Sequence, residues 1–289
     1  LEKRIIYVLG CGRSGSTILG FCLGNAENAL DLGEVVEFTR FNGHPNGFNS
    51  NTKNYLFWDR VLTSIEAKNA EIDLSGVKRL QKRFDKHYAI PLLFLPTPIL
   101  NQFGLSDYRK FLKAKYDGIF AQSNCEWFID SSKYPSRLIH LREIYGKEAI
   151  NVVYLIRDPG SVAIAFQNSA QSMTKGFAVS MTYYFVVNSF SYFVYLLTPS
   201  KNRIRIAYEE LIQFPSIQLA NIGHHFQLNV DRLLEKIKKG LELQRGYIFN
   251  GNRMRTKESV IFKKSTPKLI TLPWHQTAIS KLLKYVFMP

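Results

Sequence analysis

An unbroken apolar run, Ile5-Ile6-Tyr7-Val8-Leu9, follows a charged start and gives way at once to Gly10-Cys11-Gly12-Arg13-Ser14-Gly15-Ser16-Thr17. So short a β-branched run predicts a buried strand, the glycines a tight turn, and the apolar residues from Ile18 to Leu23 the start of a helix. The same punctuation recurs down the chain. Glu126-Trp127-Phe128-Ile129-Asp130 predicts a short strand ending in an acid, followed by Ser131-Ser132-Lys133. Residues 137–146 have the spacing of an amphipathic helix closed by glycine. Asn151-Val152-Val153-Tyr154-Leu155-Ile156 predicts another strand, with Arg157-Asp158-Pro159 leading into a helix. Residues 201–208 predict a fourth strand and Glu209-Glu210-Leu211 the next helix start. By contrast, Asn28-Ala29-Leu30-Asp31-Leu32-Gly33 reads as a poor strand. Strands alternating with helices, with polar residues gathered at strand ends, predict an α/β fold. Its parallel β-sheet is flanked by helices, with a ligand crevice along one edge.

Residues 40–56 are rich in Asn, Gly and Phe and read as a loop, while 57–120 read as helical and basic, broken by Pro91, Pro96 and Pro98. Residues 177–199 carry no charge, long enough to raise the question of a membrane span. Four tyrosines with Ser180, Thr182, Asn188, Ser189 and Ser191 make that stretch too polar, and a core helix is the reading, with membrane contact disfavoured. No leader-like segment precedes the first strand, so no signal peptide is expected. With 289 residues, 46% of them hydrophobic, the chain can build one large core, and residues 1–289 are expected to form a single domain.

The opening turn has its own chemistry. A strand, a glycine-rich turn and a helix N-terminus bring unpaired backbone N–H groups and the positive end of a helix dipole to one place, an anion cradle. Three readings fit it. Gly10-x-Gly12-x-x-Gly15 is a formal dinucleotide fingerprint, with Glu34 about 20 positions on, but the acid should then end a second buried strand. Gly10-x4-Gly15-Ser16-Thr17 is one residue from a P-loop, Ser16 standing where a phosphate-gripping lysine belongs. A phosphosulfate is the third possibility, because it would also employ the side-chain donors of Arg13, Ser14, Ser16 and Thr17.

Charge narrows the partners: 38 Lys+Arg against 23 Asp+Glu gives +15, which favours anionic ligands or surfaces. Cys11, Cys22 and Cys125 show no metal-ligand spacing, and their odd number makes a poor disulfide framework. No metal site is expected. Cys11 reads as a small buried residue, the alternative being an activated thiolate in the anion loop.

Six blocks in order carry a specific resemblance: Gly12-Arg13-Ser14-Gly15-Ser16-Thr17, Leu32-Gly33-Glu34, Asp130-Ser131-Ser132-Lys133, Leu155-Ile156-Arg157-Asp158-Pro159, Tyr208-Glu209-Glu210-Leu211 and Gly251-Asn252-Arg253-Met254-Arg255. Together they resemble the sulfotransferases that use 3′-phosphoadenosine 5′-phosphosulfate (PAPS), of the bacterial and Golgi carbohydrate-sulfotransferase kind. The resemblance implies a P-loop-related fold and transfer of a sulfuryl group to a hydroxyl of a glycan, small alcohol or phenol, lipid or peptide. The product nucleotide would be 3′-phosphoadenosine 5′-phosphate, and no metal would be needed. It implies that residues 40–120 shape the acceptor site. The compartment follows the source: cytosol for a bacterial homologue, Golgi lumen for a truncated eukaryotic one. A P-loop kinase and a non-catalytic polyanion binder are the competing functions, and specific nucleic-acid binding is not expected.

On this resemblance Gly12, Arg13, Ser14, Gly15, Ser16 and Thr17 hold the 5′-phosphosulfate. Arg157 is the candidate for the 3′-phosphate, since a guanidinium can grip a phosphate bidentately. Its alternative is an ion pair with Asp158 at the start of a helix. The family's serine eight residues after this arginine is Ala165 here, with Ser161 or Ser169 as substitutes. Arg253 and Arg255 would add charge near the 3′-phosphate, Asn252 would fix their loop, and Tyr208 would contact adenine. Glu34 is the candidate base, with Glu37 and His44 as alternatives. Lys133 would neutralise the leaving oxygen, a task Arg13 could share. Asp130 would organise its loop, and Glu209 and Glu210 would match the following helix N-terminus.

Overall fold

A computed structural model describes residues 2–68, 73–168, 174–266 and 271–288. The chain runs β1 (Arg4–Leu9), α1 (Ser16–Leu23), β2 (Ala29–Gly33), α2 (Lys53–Lys68), α3 (Leu74–Phe84), α4 (Thr97–Gln102), α5 (Leu105–Ala121), β3 (Trp127–Lys133), α6 (Pro135–Tyr145) and β4 (Ile150–Ile156). It continues with α7 (Pro159–Gln167), α8 (Phe177–Leu196), β5 (Arg203–Ala207), α9 (Tyr208–Gln213), α10 (Pro215–Phe226), α11 (Asp231–Lys238), β6 (Glu242–Gln244), β7 (Ser259–Ile261) and α12 (Trp274–Phe287). Five strands form one parallel sheet in the order β2-β3-β1-β4-β5, and β6 and β7 form a separate antiparallel pair.

The unbroken apolar strands reflect burial on both faces. Ile5, Tyr7 and Leu9 of β1 join a core that includes Trp58, Phe111, Leu138 and Tyr184 from α2, α5, α6 and α8. Ile6 and Val8 join a second core with Phe21, Leu219 and Leu233 from α1, α10 and α11. Alternate side chains of one strand thus serve two layers.

The segment from Ala29 to Gly33 is a strand after all, paired in parallel with β3 at the sheet edge. Asp31 obscured it. Its buried carboxyl sits under α1, where Gly20 and Gly24 make the room: a Cβ on Gly20 would lie 2.8 Å from Asp31 Oδ1. Burial raises that carboxyl to about 7. The dinucleotide reading still fails, now on topology: β3 lies between β2 and β1, whereas that fold places its second strand beside the first. β3 also runs farther than expected, so Lys133 ends the strand rather than following it.

Residues between β2 and β3 are mainly helical, and α2 begins inside the stretch read as a loop. On α8 only one face is core. Tyr184 and Asn188 are buried, while Phe185, Phe193 and Leu196 are exposed. The helix's polar residues have partners: Tyr154 donates to Asn188 Oδ1 at 3.1 Å, and Tyr184 donates to the Arg157 carbonyl at 2.9 Å. Among the described residues, no helix is long and apolar enough to cross a membrane.

The helical layer has a charged heart. Arg137, fully buried, donates through Nε to Asp85 Oδ2 at 2.7 Å and ties α6 to the end of α3. Close by, Lys115 is also fully buried, its Nζ 5.4–5.6 Å from the ring centres of Phe38, Phe111 and Tyr116 and without a hydrogen-bond partner among the described residues. Burial holds its ammonium well below the ordinary lysine range. Because the unfolded chain then binds the extra proton, this group costs stability below about pH 10.4 and the cost shrinks as pH rises. Lys115→Met should therefore stabilise the fold by about 1–3 kcal/mol near neutral pH. In urea denaturation the gap between variant and wild type should narrow from pH 7 to pH 9.

Candidate active site

The loop after β1 is built from residues in left-handed backbone: Gly10 at φ 138°, Arg13 at 69° and Gly15 at 95°. A Cβ on Gly10 would lie 2.2 Å from the Leu155 carbonyl oxygen, and one on Gly15 2.3 Å from the Tyr208 ring. Only glycine fits either position. No side chain caps α1; the Ile18 and Leu19 N–H groups bond to the Gly15 carbonyl, which leaves those of Ser16 and Thr17 for a ligand. Ser14 is buried, with its hydroxyl unpaired among the described residues. A cavity of ≈ 220 Å³ is lined by Gly12, Arg13, Gly15, Ser16 and Thr17, faced by Glu34, Lys133, Gly251 and Asn252.

Glu34 and Lys133 meet there: Lys133 Nζ lies 2.7 Å from Glu34 Oε1 and donates also to the Ser131 carbonyl at 2.7 Å. Two chains of contacts hold this pair. The Glu34 N–H donates to the Asn250 carbonyl at 2.8 Å, and Gly33, at φ 65°, lets that strand of backbone pass within 2.5 Å of where a Cβ would be. On the other side Asp130 accepts from Tyr116 Oη, from Ser132 Oγ and from the Ser132 N–H. Ser132 Oγ in turn accepts from the Val36 N–H at 2.9 Å. Asp130 therefore organises the 3₁₀ turn Val35–Thr39 that follows Glu34.

The alternative bases lie elsewhere. Glu37 pairs with Arg40 at 3.0 Å and lines a neighbouring cavity. His44 stacks on Tyr55 with ring centres 4.9 Å apart and is absent from the lining of the Glu34 cavity. Cys11 is buried beside the loop, and burial pushes its thiol up to about 12, so it is no thiolate.

A second cavity, ≈ 350 Å³, opens beyond the loop and is lined by Arg157, Ser161, Ala165, Asn168, Tyr208 and, from the C-terminal region, Ser265 and Thr266. Arg157 Nη1 donates to the Arg13 carbonyl at 2.8 Å, its guanidinium lies 4.5 Å from the Tyr208 ring centre, and its Nε is unpaired among the described residues. Asp158 does not pair with it. Instead Asp158 caps α7, accepting from the Ser161 N–H at 2.8 Å, while its own N–H donates to Glu209 Oε1 at 3.1 Å. Burial raises the Glu209 carboxyl above its ordinary range. Tyr208 opens α9 rather than closing β5.

Asn252 accepts from the Met254 N–H at 2.8 Å and caps the short turn Arg253–Thr256. Arg255 turns inward on that loop, donating to the Gly251 and Asn252 carbonyls at 3.2 and 3.4 Å, and lines neither cavity. Its Nε is unpaired among the described residues. The Arg253 side chain and Ser169 lie outside the described residues. Asn168, Ser265 and Thr266 were missed from sequence. The run Lys263-Lys264-Ser265-Thr266, basic and hydroxyl-bearing, was the available signal. Tyr183 was missed as well; its hydroxyl oxygen would lie 3.2 Å from a Cβ on Gly12. Among the described residues, no group of three or more His, Cys, Asp or Glu could hold a metal ion.

A glycine-rich loop, a carboxylate–ammonium pair facing it and a second cavity holding Arg157 lie together at the C-terminal ends of the parallel strands. The sequence matches the model of the sulfotransferase family over residues 6–232. The chain belongs to that family. A comparison with curated proteins found no match. Among solved structures, this family member is similar to a sulfotransferase domain from the curacin biosynthetic pathway, with TM-score 0.55 and 15% identity over 98% of each chain. It is also similar to a sulfotransferase from Mycobacterium tuberculosis H37Rv, with TM-score 0.51 and 17% identity over 82% of this chain and 70% of that one. A Mycobacterium avium sulfotransferase gives TM-score 0.51 at 10% identity, over 83% and 68%. At these identities the likeness is one of fold.

The Ser132 hydroxyl links Asp130 to the Val36 N–H, and its removal leaves a buried donor unpaired. Ser132→Ala should cost about 1–3 kcal/mol in urea denaturation, whereas Ser132→Thr should retain most of that stability.

Proposed function

We propose that the protein transfers the sulfuryl group of PAPS to a hydroxyl of an acceptor. The observation that carries this reading is the pairing of two donor-lined cavities on either side of one loop, joined by the hydrogen bond from Arg157 to the Arg13 carbonyl. A donor with anionic groups at both its 5′ and 3′ positions needs two such sites. The unpaired Ser14 hydroxyl and Arg157 Nε suit those groups, as does the uncapped start of α1.

PAPS supplies the activated sulfuryl group, and the protein's residues do the rest. The loop from Gly12 to Thr17 orients the sulfonate against the acceptor. Glu34 takes the proton of the acceptor hydroxyl as its oxygen bonds to sulfur and the bond from sulfur to the bridging phosphate oxygen breaks. Lys133, held 2.7 Å from Glu34, donates to the oxygen that gains charge, and Arg13 assists from the loop. Arg157, Ser161 and Tyr208 hold the far end of the nucleotide. A Lys133 ammonium has three donors, of which Glu34 and Ser131 engage two among the described residues.

Calorimetric titration with PAPS in the absence of metal should show binding. Arg157→Ala should weaken it by about 1.5–3 kcal/mol, the value of a charge-assisted contact. Binding of ATP with Mg²⁺ but not of PAPS would replace this reading with a kinase. Glu34→Gln should leave PAPS affinity in place and lower turnover by roughly a hundredfold or more, measured with labelled PAPS across glycan, phenol and alcohol acceptors.

A further inference from the structure

The turn that carries Glu34 has a second side. There a cavity of ≈ 350 Å³ lies between the turn, with Glu37 and Arg40, and the helix α3, with Lys78 and Lys82. Lys86, just past that helix, and Tyr134, directly after Lys133, complete the wall the argument needs. The two cavities share their partition. Glu34 and Glu37 are joined by the hydrogen bond from the Glu37 N–H to the Glu34 carbonyl at 3.2 Å, one 3₁₀ turn apart, about 6 Å along the axis.

Charge in this cavity is unbalanced. Lys78 and Lys82 stand four residues apart on one face of α3, where like charges repel, and Lys86 follows just past the helix end. Among the described residues none of the three has an ion-pair partner. The two acids of the wall are already engaged: Glu37 with Arg40, and Asp85 with the buried Arg137. Lys86 Nζ lies 5.3 Å from the ring centre of Tyr134, the residue that follows Lys133, while Lys78 and Lys82 are exposed at the cavity's rim. All three lysines line the same concavity.

We infer that this cavity binds an anionic group of the acceptor, a carboxylate, sulfate or phosphate. The lysine stripe holds that group while the hydroxyl to be sulfated is presented to Glu34. This deepens the proposed function and rests on it, because the cavity is named an acceptor site only if Glu34 acts on an acceptor.

The probes are 4-hydroxyphenylacetate, its methyl ester and inorganic sulfate, titrated calorimetrically into the protein saturated with 3′-phosphoadenosine 5′-phosphate (PAP) and into Lys78→Glu/Lys82→Glu. The acid should bind more tightly than the ester by roughly tenfold at low salt. That preference should decline with ionic strength and vanish in the double variant, with PAP affinity unchanged. Equal affinity for acid and ester would overturn the inference, as would an acid preference that survives in the variant or no binding of the acid at millimolar concentration. Sulfate binding as tightly as the acid would assign the site to free anions and overturn the acceptor role. If PAP and PAPS fail to bind while the acid retains its lysine-dependent preference, the sulfuryl-transfer reading falls and the anion site stands.

Discussion

A closed circuit of contacts at the sheet edge sets the shape of everything around it. Gly15 lacks a Cβ, so the Tyr208 ring can close on the loop. That ring lies 4.5 Å from the Arg157 guanidinium, which donates back to the carbonyl of Arg13. Three chain segments that follow β1, β4 and β5 are thereby locked together. The left-handed backbone at Arg13, a strain of order ~1 kcal/mol, persists because its surroundings determine it from several sides. The same arginine that would serve a ligand thus also holds the loop open to receive one.

The opposite wall is secured by different physics. There the Asp130–Ser132–Val36 chain of hydrogen bonds sets the turn bearing Glu34, and the backbone around Asn250 presses on Gly33 from outside. Behind it lies an interior unusually rich in charge, where Asp85 and Arg137 neutralise each other and Lys115 is boxed among rings. The Asp85–Arg137 pair contributes little net stability and is costly if half-removed, whereas Lys115 is a net cost. Their effect is to fix how α3, α5 and α6 sit against the sheet, and so where the basic face of α3 meets the Glu34 turn.

How much of this could be read from the residues depends on whether the cause was local. The loop, α1, β4 and Arg157 were legible because a β-branched run followed by glycine or charge has few other meanings. β2 was not, since an Asp in mid-strand is tolerated only by grace of two glycines on another element, Gly20 and Gly24. Glu34 was found through a motif; its contact with Lys133 depends on β3 being inserted between β1 and β2, which no local pattern encodes. Arg255 was picked out by its block, but the bonds of its Nη1 to the carbonyls of its own loop follow from how that loop turns, which its residues do not spell out. Ser265 and Thr266 gave only the weak signal of a basic, hydroxyl-bearing run for a related reason: the Ser265 N–H bonds to the Ile212 carbonyl, a return of the chain to α9 set by tertiary packing.

Those late residues bear on how the molecule is made. The family match ends at residue 232, yet Gly251 and Asn252 close one cavity and Ser265 and Thr266 the other. The parallel sheet is complete in sequence at β5, before this strap exists on a growing chain. A Cβ on Gly251 would lie 3.7 Å from the Thr17 hydroxyl, so segments more than 230 residues apart meet there, a closure with a large entropic cost. On a growing chain every strand of the sheet is therefore made before the segment that roofs the crevice. The scaffold is an early property of this chain, and the enclosed binding site a late one.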